Sequence, residues 1–185
     1  MTTVIVLLRG INVGGNNRIR MAELRAALAA HGFVDVRTYI QSGNVVAEHR
    51  SRSTAVVARQ VESIIEASFS LQVPAIVRTR AQLLGVVRNN PYPHEADPKR
   101  LHAIFLPEPH SQEAIAGIAQ LQESLWAKGS NDSVGFAGDV LYLHTPDGFG
   151  TSDLAKALTT RSGRLIEGGT ARNWATVLAL VDLSA

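Results

Sequence analysis

Cysteine is absent from the 185-residue chain. That absence excludes disulfides, thiolate nucleophiles, iron–sulfur clusters and any cysteine-ligated zinc site, and it favours the reducing cytoplasm. Aromatic residues make up only 5% of the sequence, a poor supply for the stacking platforms on which RNA-recognition sheets hold bases. Long apolar runs are missing too. The opening run Val4–Leu8 stops at Arg9, short of a signal-peptide core and far short of the roughly 20 residues of a membrane span. No export and no membrane partner are therefore expected. The histidines at 31, 49, 94, 102, 110 and 144 show neither H-E-x-x-H nor H-x-H spacing, so no metal is expected.

Lysine is also scarce: of 18 basic residues, 15 are arginine. The net charge of +2 hides a division. Residues 1–90 hold eleven arginines and no lysine against five acids, a balance of +6, while residues 91–185 hold seven basic against eleven acidic residues, a balance of −4. Arginine favours planar, bidentate partners such as carboxylate and phosphate. The basic half implies an anionic partner, or else two oppositely charged halves that attract one another.

Hydrophobic content of 45% is ample for a buried core at this length. The β-branched run at residues 2–9 predicts a strand covered on both faces. Met21, Leu24 and Leu28 recur at helical spacing until Gly32 stops them. Val36, Thr38 and Ile40 alternate with polar neighbours, Ser42-Gly43 reads as a two-residue turn, and Asn44–Ala47 resume the extended pattern. Val57, Val61, Ile64, Ile65 and Phe69 form a helical stripe, and Pro74–Arg78 a short strand. This order predicts a ferredoxin-like, split βαβ arrangement. Thr79 and Gln82 form a capping box for a helix ending near Asn89. Asn89–Arg100, with three prolines, reads as a connection.

The second half follows with a strand (Leu101–Leu106), a helix through Ile115, Ile118, Leu121 and Leu125, and a hairpin over 134–137 and 140–144. Thr151-Ser152-Asp153 then caps a helix to about Arg161, and Thr170 is expected to cap a last helix carrying Trp174, Val177, Leu178 and Val181. It echoes the first half without residue-level self-similarity. The expected class is α+β, a ferredoxin-like N-terminal half packed with a looser βαββα half: residues 1–79, a helix and connection over 80–100, and residues 101–185.

Three polar segments are flanked closely by apolar structure. R-G-I-N-V-G-G-N-N-R, Arg9–Arg18, is a glycine-rich strand-to-helix loop that can turn N–H groups toward an anion beside a positive helix end. It matches neither G-x-G-x-x-G nor a P-loop, and its plain alternative is a glycine turn with left-handed asparagines. Y-I-Q-S-G-N-V-V, Tyr39–Val46, carries Gln41, Ser42 and Asn44, amide and hydroxyl groups suited to recognition rather than acid–base work. T-A-R-N-W, Thr170–Trp174, places Arg172 and Asn173 in the expected first helical turn. There the dipole disfavours a guanidinium by about 0.3–1 kcal/mol, whereas a charge-assisted contact to an anion contributes about 1.5–3 kcal/mol. Pairing of Arg172 with Glu167 is the alternative. No G-x-S-x-G surrounds Ser42, and no catalytic residue is identified.

R-G-I-N-V-G-G-N-N-R followed by M-A-E-L-R, then T-Y-I-Q-S-G-N-V-V, T-P-D-G-F-G and T-A-R-N-W-A-T-V, resemble the bacterial family catalogued as domain of unknown function 1697. The resemblance spans nearly the whole chain. It implies a compact α/β protein of ferredoxin-like character and brings no established activity. Asn16 stands where the family often has lysine, and Ala175 where it often has asparagine.

The expected function is binding of an anionic ligand: a nucleotide, a phosphorylated metabolite or a nucleic-acid segment. Arg9, Arg18 and Arg172 would supply charge, Gly14 and Gly15 backbone donors, and Gln41, Ser42 and Asn44 orientation, with Asn12, Asn17 and Asn173 beside them. No cofactor is indicated. The alternatives are an enzyme acting on such a ligand and a self-associating interaction protein.

Overall fold

A computed structural model describes residues 1–15, 17–159, 166 and 168–185. Among them the chain is a mixed α+β protein with two four-stranded antiparallel sheets and six helices. It divides into two compact units, Met1–Gly85 with Leu178–Ala185, and Val86–Val177. Among the described residues no helix is long and apolar enough to cross a membrane.

The first unit contains β1 (Thr2–Leu8), α1 (Met21–Ala30), β2 (Val34–Tyr39), β3 (Asn44–His49), α2 (Thr54–Phe69) and β4 (Ala75–Thr79), and α3 (Arg80–Arg88) begins in it. Its sheet runs β2-β3-β1-β4 with antiparallel neighbours throughout, consistent with a ferredoxin-like α+β fold. Val4, Val6 and Leu8 of β1 pack with Val45 and Val77 against Leu24 and Leu28 of α1 and Val57, Val61 and Ile65 of α2. The alternate residues Ile5, Leu7 and Val46 are equally buried. A strand with no polar interruption has no solvent face to offer, and β1 behaves accordingly.

Local chemistry sets the element ends. The Ser53 hydroxyl accepts the Val56 N–H at 3.4 Å and starts α2. Thr79 and Gln82 satisfy each other's backbone groups at the start of α3, the Gln82 Oε1 accepting the Thr79 N–H at 2.8 Å and the Thr79 Oγ1 accepting the Gln82 N–H at 3.2 Å. This is the capping box read from the sequence.

The second unit holds β5 (Leu101–Phe105), α4 (Gln112–Trp126), β6 (Ser133–Ala137), β7 (Val140–His144), α5 (Asp153–Thr159) and β8 (Thr170–Asn173), and α6 (Trp174–Leu183) begins in it. Its sheet runs β6-β7-β5-β8, the order of the first sheet repeated. The correspondence extends to single residues. Arg78 opposite Ile5 and Arg172 opposite Ala103 are both buried, and each donates to the carbonyl of the residue before it, at 3.1 Å and 2.8 Å. Each is followed by a residue that caps the next helix, Thr79 for α3 and Asn173 for α6. The Pro-rich stretch packs onto this second sheet. Pro91 lies where a Cβ on Gly135 would be, Tyr92 stacks on His144 at 4.9 Å, and Glu95 meets His144 at 2.7 Å.

Two local expectations are corrected. Thr170 does not cap a helix: Thr170–Asn173 is β8, paired with β5, and α6 starts three residues later with the Asn173 Oδ1 accepting the Thr176 N–H at 2.9 Å. Both Thr and Asn suit an N-cap, and pairing to β5 decides between them. The β2–β3 connection is not a two-residue turn either. The last pair is Tyr39 with Asn44, which leaves Ile40 to Gly43 in the turn, with left-handed backbones at Ile40 (φ 49°) and Gly43 (φ 77°). The expected helix end at Arg161 and the partner Glu167 fall outside the described residues.

Candidate functional site

The loop between β1 and α1 is folded by its asparagines. Asn12 (φ 54°) and Asn17 (φ 47°) adopt the left-handed backbone that short amide side chains tolerate. The Asn12 N–H donates to the Asn17 carbonyl at 3.2 Å. Its side-chain Nδ2 donates to the carbonyls of Ile19 (3.0 Å) and Gln41 (2.8 Å), and its Oδ1 accepts the Ile19 N–H at 3.0 Å. One amide thus ties the loop both to the approach of α1 and to the β2–β3 turn. Asn17 Nδ2 donates to the Gly10 carbonyl at 3.1 Å. Gly14 (φ 59°) and Gly15 (φ 81°) complete the reversal, and a Cβ at either would meet no atom within 4 Å.

The β2–β3 turn is fixed from the other side. Asn44, fully buried, donates from Nδ2 to the Tyr39 carbonyl (3.2 Å) and the Ser42 hydroxyl (3.0 Å). The Gly43 carbonyl accepts the Leu8 N–H at 2.8 Å. A Cβ on Gly43 would lie 2.7 Å from the Leu8 Cβ and 2.8 Å from the Ile11 Cδ1. Only glycine brings the turn this close to the end of β1.

Loop and turn enclose an open cleft of about 660 Å3 lined by Asn12, Gly15, Arg18, Ile19, Arg20, Glu23 and Gln41. Four of these, Asn12, Gly15, Arg18 and Gln41, were expected site residues. The cleft faces the start of α1, where Arg20 occupies the N-cap position with no side-chain capping bond. Arg20 instead lies 3.5 Å from Glu23 in an exposed pair, of the kind that contributes little to stability. Arg18 is exposed and has no hydrogen bond or ion pair among the described residues. The Gln41 side-chain amide is likewise exposed and unengaged among the described residues, while its carbonyl is held by Asn12. The lining therefore carries two guanidinium groups against one carboxylate.

The other expected residues have different placements. Asn17, Ser42 and Asn44 build the loop and turn and do not line the cleft, nor do Gly14 and Arg9. Arg172 and Asn173 belong to the second unit. There the Arg172 guanidinium is buried and donates to the Thr170 hydroxyl at 2.7 Å and the Ala171 carbonyl at 2.8 Å, and burial lowers its pKa to about 10. Ile19, Arg20 and Glu23 went unread in the sequence. The available signal was Glu23 at the third position of α1, where a carboxylate ordinarily supports a helix start.

The remaining chemistry is local to the second unit. Ser152 caps α5, its hydroxyl accepting the Ala155 N–H at 2.8 Å and donating to the buried Asp132 Oδ2 at 2.6 Å. His102 stacks on Phe149 at 4.0 Å, and burial pushes its pKa down to about 4, so its ring is neutral at physiological pH. Among the described residues no three His, Asp or Glu side chains converge as a metal-binding group. The central strands are buried on both faces, with Ile5, Leu7 and Val46 in the first sheet and Ala103, Phe105 and Tyr142 in the second. Those strands offer no open platform for stacked bases.

The family described as Protein of unknown function (DUF1697) matches residues 1–142. Among solved structures, the chain is similar to one titled as the conserved bacterial protein SP0830 from Streptococcus pneumoniae. The two share 22% identity, with a TM-score of 0.76 over 100% of this chain and 99% of that one. That likeness concerns the fold. The comparison with curated proteins gives no match.

Proposed function

The chain belongs to the family described as Protein of unknown function (DUF1697), and from that premise we propose that it binds an anionic ligand in the cleft between the β1–α1 loop and the β2–β3 turn. The observation that carries this reading is Arg18, an exposed guanidinium without a partner among the described residues, in a cleft shared with Gly15 and Gln41. A guanidinium prefers planar oxyanions, and the start of α1 adds the positive end of a ten-residue helix to the same cleft. Buried central strands favour this edge of the fold over either sheet face as the place of contact. Among the cleft residues Glu23 is the only carboxylate and no histidine is present, so binding is a better description of this site than acid–base catalysis.

Isothermal titration with inorganic phosphate and with adenosine 5′-monophosphate tests the reading. The full chain binds at least one of the two, and Arg18→Ala weakens that binding about tenfold or more, the loss of one charge-assisted contact. Arg9→Ala, at a position that is not among the lining residues, leaves it unchanged. Absence of binding to both anions, or equal binding by Arg18→Ala, overturns the proposal.

A further inference from the structure

The same cleft says more about its occupant. We propose that the ligand is a nucleoside phosphate, held by its phosphate at Arg18 and by its base against Ile40 and Gln41; this rests on the anion-binding reading above. Volume is the first argument. About 660 Å3 lies within the roughly 300–1,000 Å3 of sites that enclose an organic ligand, well above what a bare phosphate fills.

Apolar surface is the second. Val13 and Ile40 are large hydrophobic residues left 64% and 52% exposed. They are the chain neighbours of Asn12 and Gln41, the two cleft residues joined by the 2.8 Å bond. An apolar residue therefore adjoins in sequence each partner of this loop-to-turn contact. Ile19, at the cleft wall, is buried and apolar as well.

Backbone geometry is the third argument. Ile40 sits at φ 49°, in the left-handed region that a β-branched side chain avoids. Glycine or asparagine would occupy that turn position without strain, so the isoleucine is not explained by the turn. A sugar phosphate has no apolar face to place against it. A nucleobase has one, together with an edge that the Gln41 amide, unengaged among the described residues, can read by donating and accepting.

The test is calorimetric titration of the full chain with adenosine 5′-monophosphate, uridine 5′-monophosphate, ribose 5-phosphate and inorganic phosphate. At least one nucleotide is expected to bind about tenfold more tightly than ribose 5-phosphate, the margin being burial of the base. Ile40→Gly, which suits the left-handed backbone and keeps the fold, removes most of that margin and leaves ribose 5-phosphate affinity unchanged. Arg18→Ala weakens nucleotide and sugar phosphate together. Equal affinity for nucleotides and ribose 5-phosphate overturns the nucleotide assignment while anion binding stands. So does a margin that survives Ile40→Gly. Absence of binding by all four probes overturns both readings.

Discussion

Replacing Gly43 by alanine isolates the contact on which the turn is built. The added Cβ would stand 2.7 Å from the Leu8 Cβ, an atom fixed to the backbone of a central strand, and 2.8 and 2.9 Å from Ile11 Cδ1 and Cγ1. Leu8 and Ile11 are both buried, so neither side chain has space to retreat into. Overpacking of this kind costs about 1–3 kcal/mol. Alanine at φ 77° adds about 1–2 kcal/mol, offset by some 0.4–1 kcal/mol from a less disordered unfolded chain. The net expectation is a loss of about 3 kcal/mol, or roughly 6–12 °C in thermal midpoint for a chain of this size. Gly14→Ala is the internal control. It meets the same kind of backbone penalty at φ 59° with nothing within 4 Å, so its loss stays near 1 kcal/mol. Urea and thermal unfolding of the two variants side by side decide the matter. If Gly43→Ala melts within about 2 °C of Gly14→Ala, close approach of turn and strand is not what fixes this position.

Three further outcomes follow from the same geometry. Asn12→Ala deletes three hydrogen bonds and leaves alanine at φ 54°. It should lose about 3 kcal/mol in urea unfolding, with Asn17→Ala, which deletes one, costing about half as much. Ile40→Gly should remain within about 1 kcal/mol of the parent in thermal unfolding, because relief of the left-handed backbone offsets the lost partial burial and the extra freedom of glycine when unfolded. At Glu95, the hydrogen bond to His144 holds the carboxyl below its ordinary pKa. Its contribution to stability is therefore present above the unfolded carboxyl's pKa and lost as pH falls through the lower folded value. The stability difference between parent and Glu95→Gln should be visible at pH 6 and shrink steadily on acidification below about pH 4.5. A difference that grows toward low pH would contradict the pairing.

What the sequence made legible was whatever short-range chemistry decides. The two-faced burial of β1, the capping box at Thr79 and Gln82, and the amphipathic stripe of α2 needed only neighbouring residues to be read. The glycine-rich segment was legible as a strand-to-helix loop, and of its expected residues Arg18 and Gly15 line the cleft together with Gln41 of the turn. The rest depends on partners distant in sequence. T-A-R-N read as a helix start because nothing local reveals that β5 pairs with it, and the burial of Arg172 is a consequence of that pairing. Asn12 and Asn44 read as ligand-facing amides, and their side chains prove to be tied to the backbone and to Ser42. Ile40 looked like the next alternating strand residue, since a β-branched side chain gives no warning of a left-handed turn. The echo of the first half in the second was legible as an order of elements, whereas the correspondence of Arg78 with Arg172 appears only once the registers are compared.

The central claim is that the cleft beside Arg18 is a binding site, and backbone amide shifts during a nucleotide titration test it most directly. With adenosine 5′-monophosphate added to the isotope-labelled full chain, the amides of Gly15, Arg18, Ile19 and Gln41 should move together on one saturating curve, and Arg18→Ala should move its midpoint to about tenfold higher nucleotide concentration or beyond. Saturating shifts confined to other residues, or a response unchanged by Arg18→Ala, would contradict it.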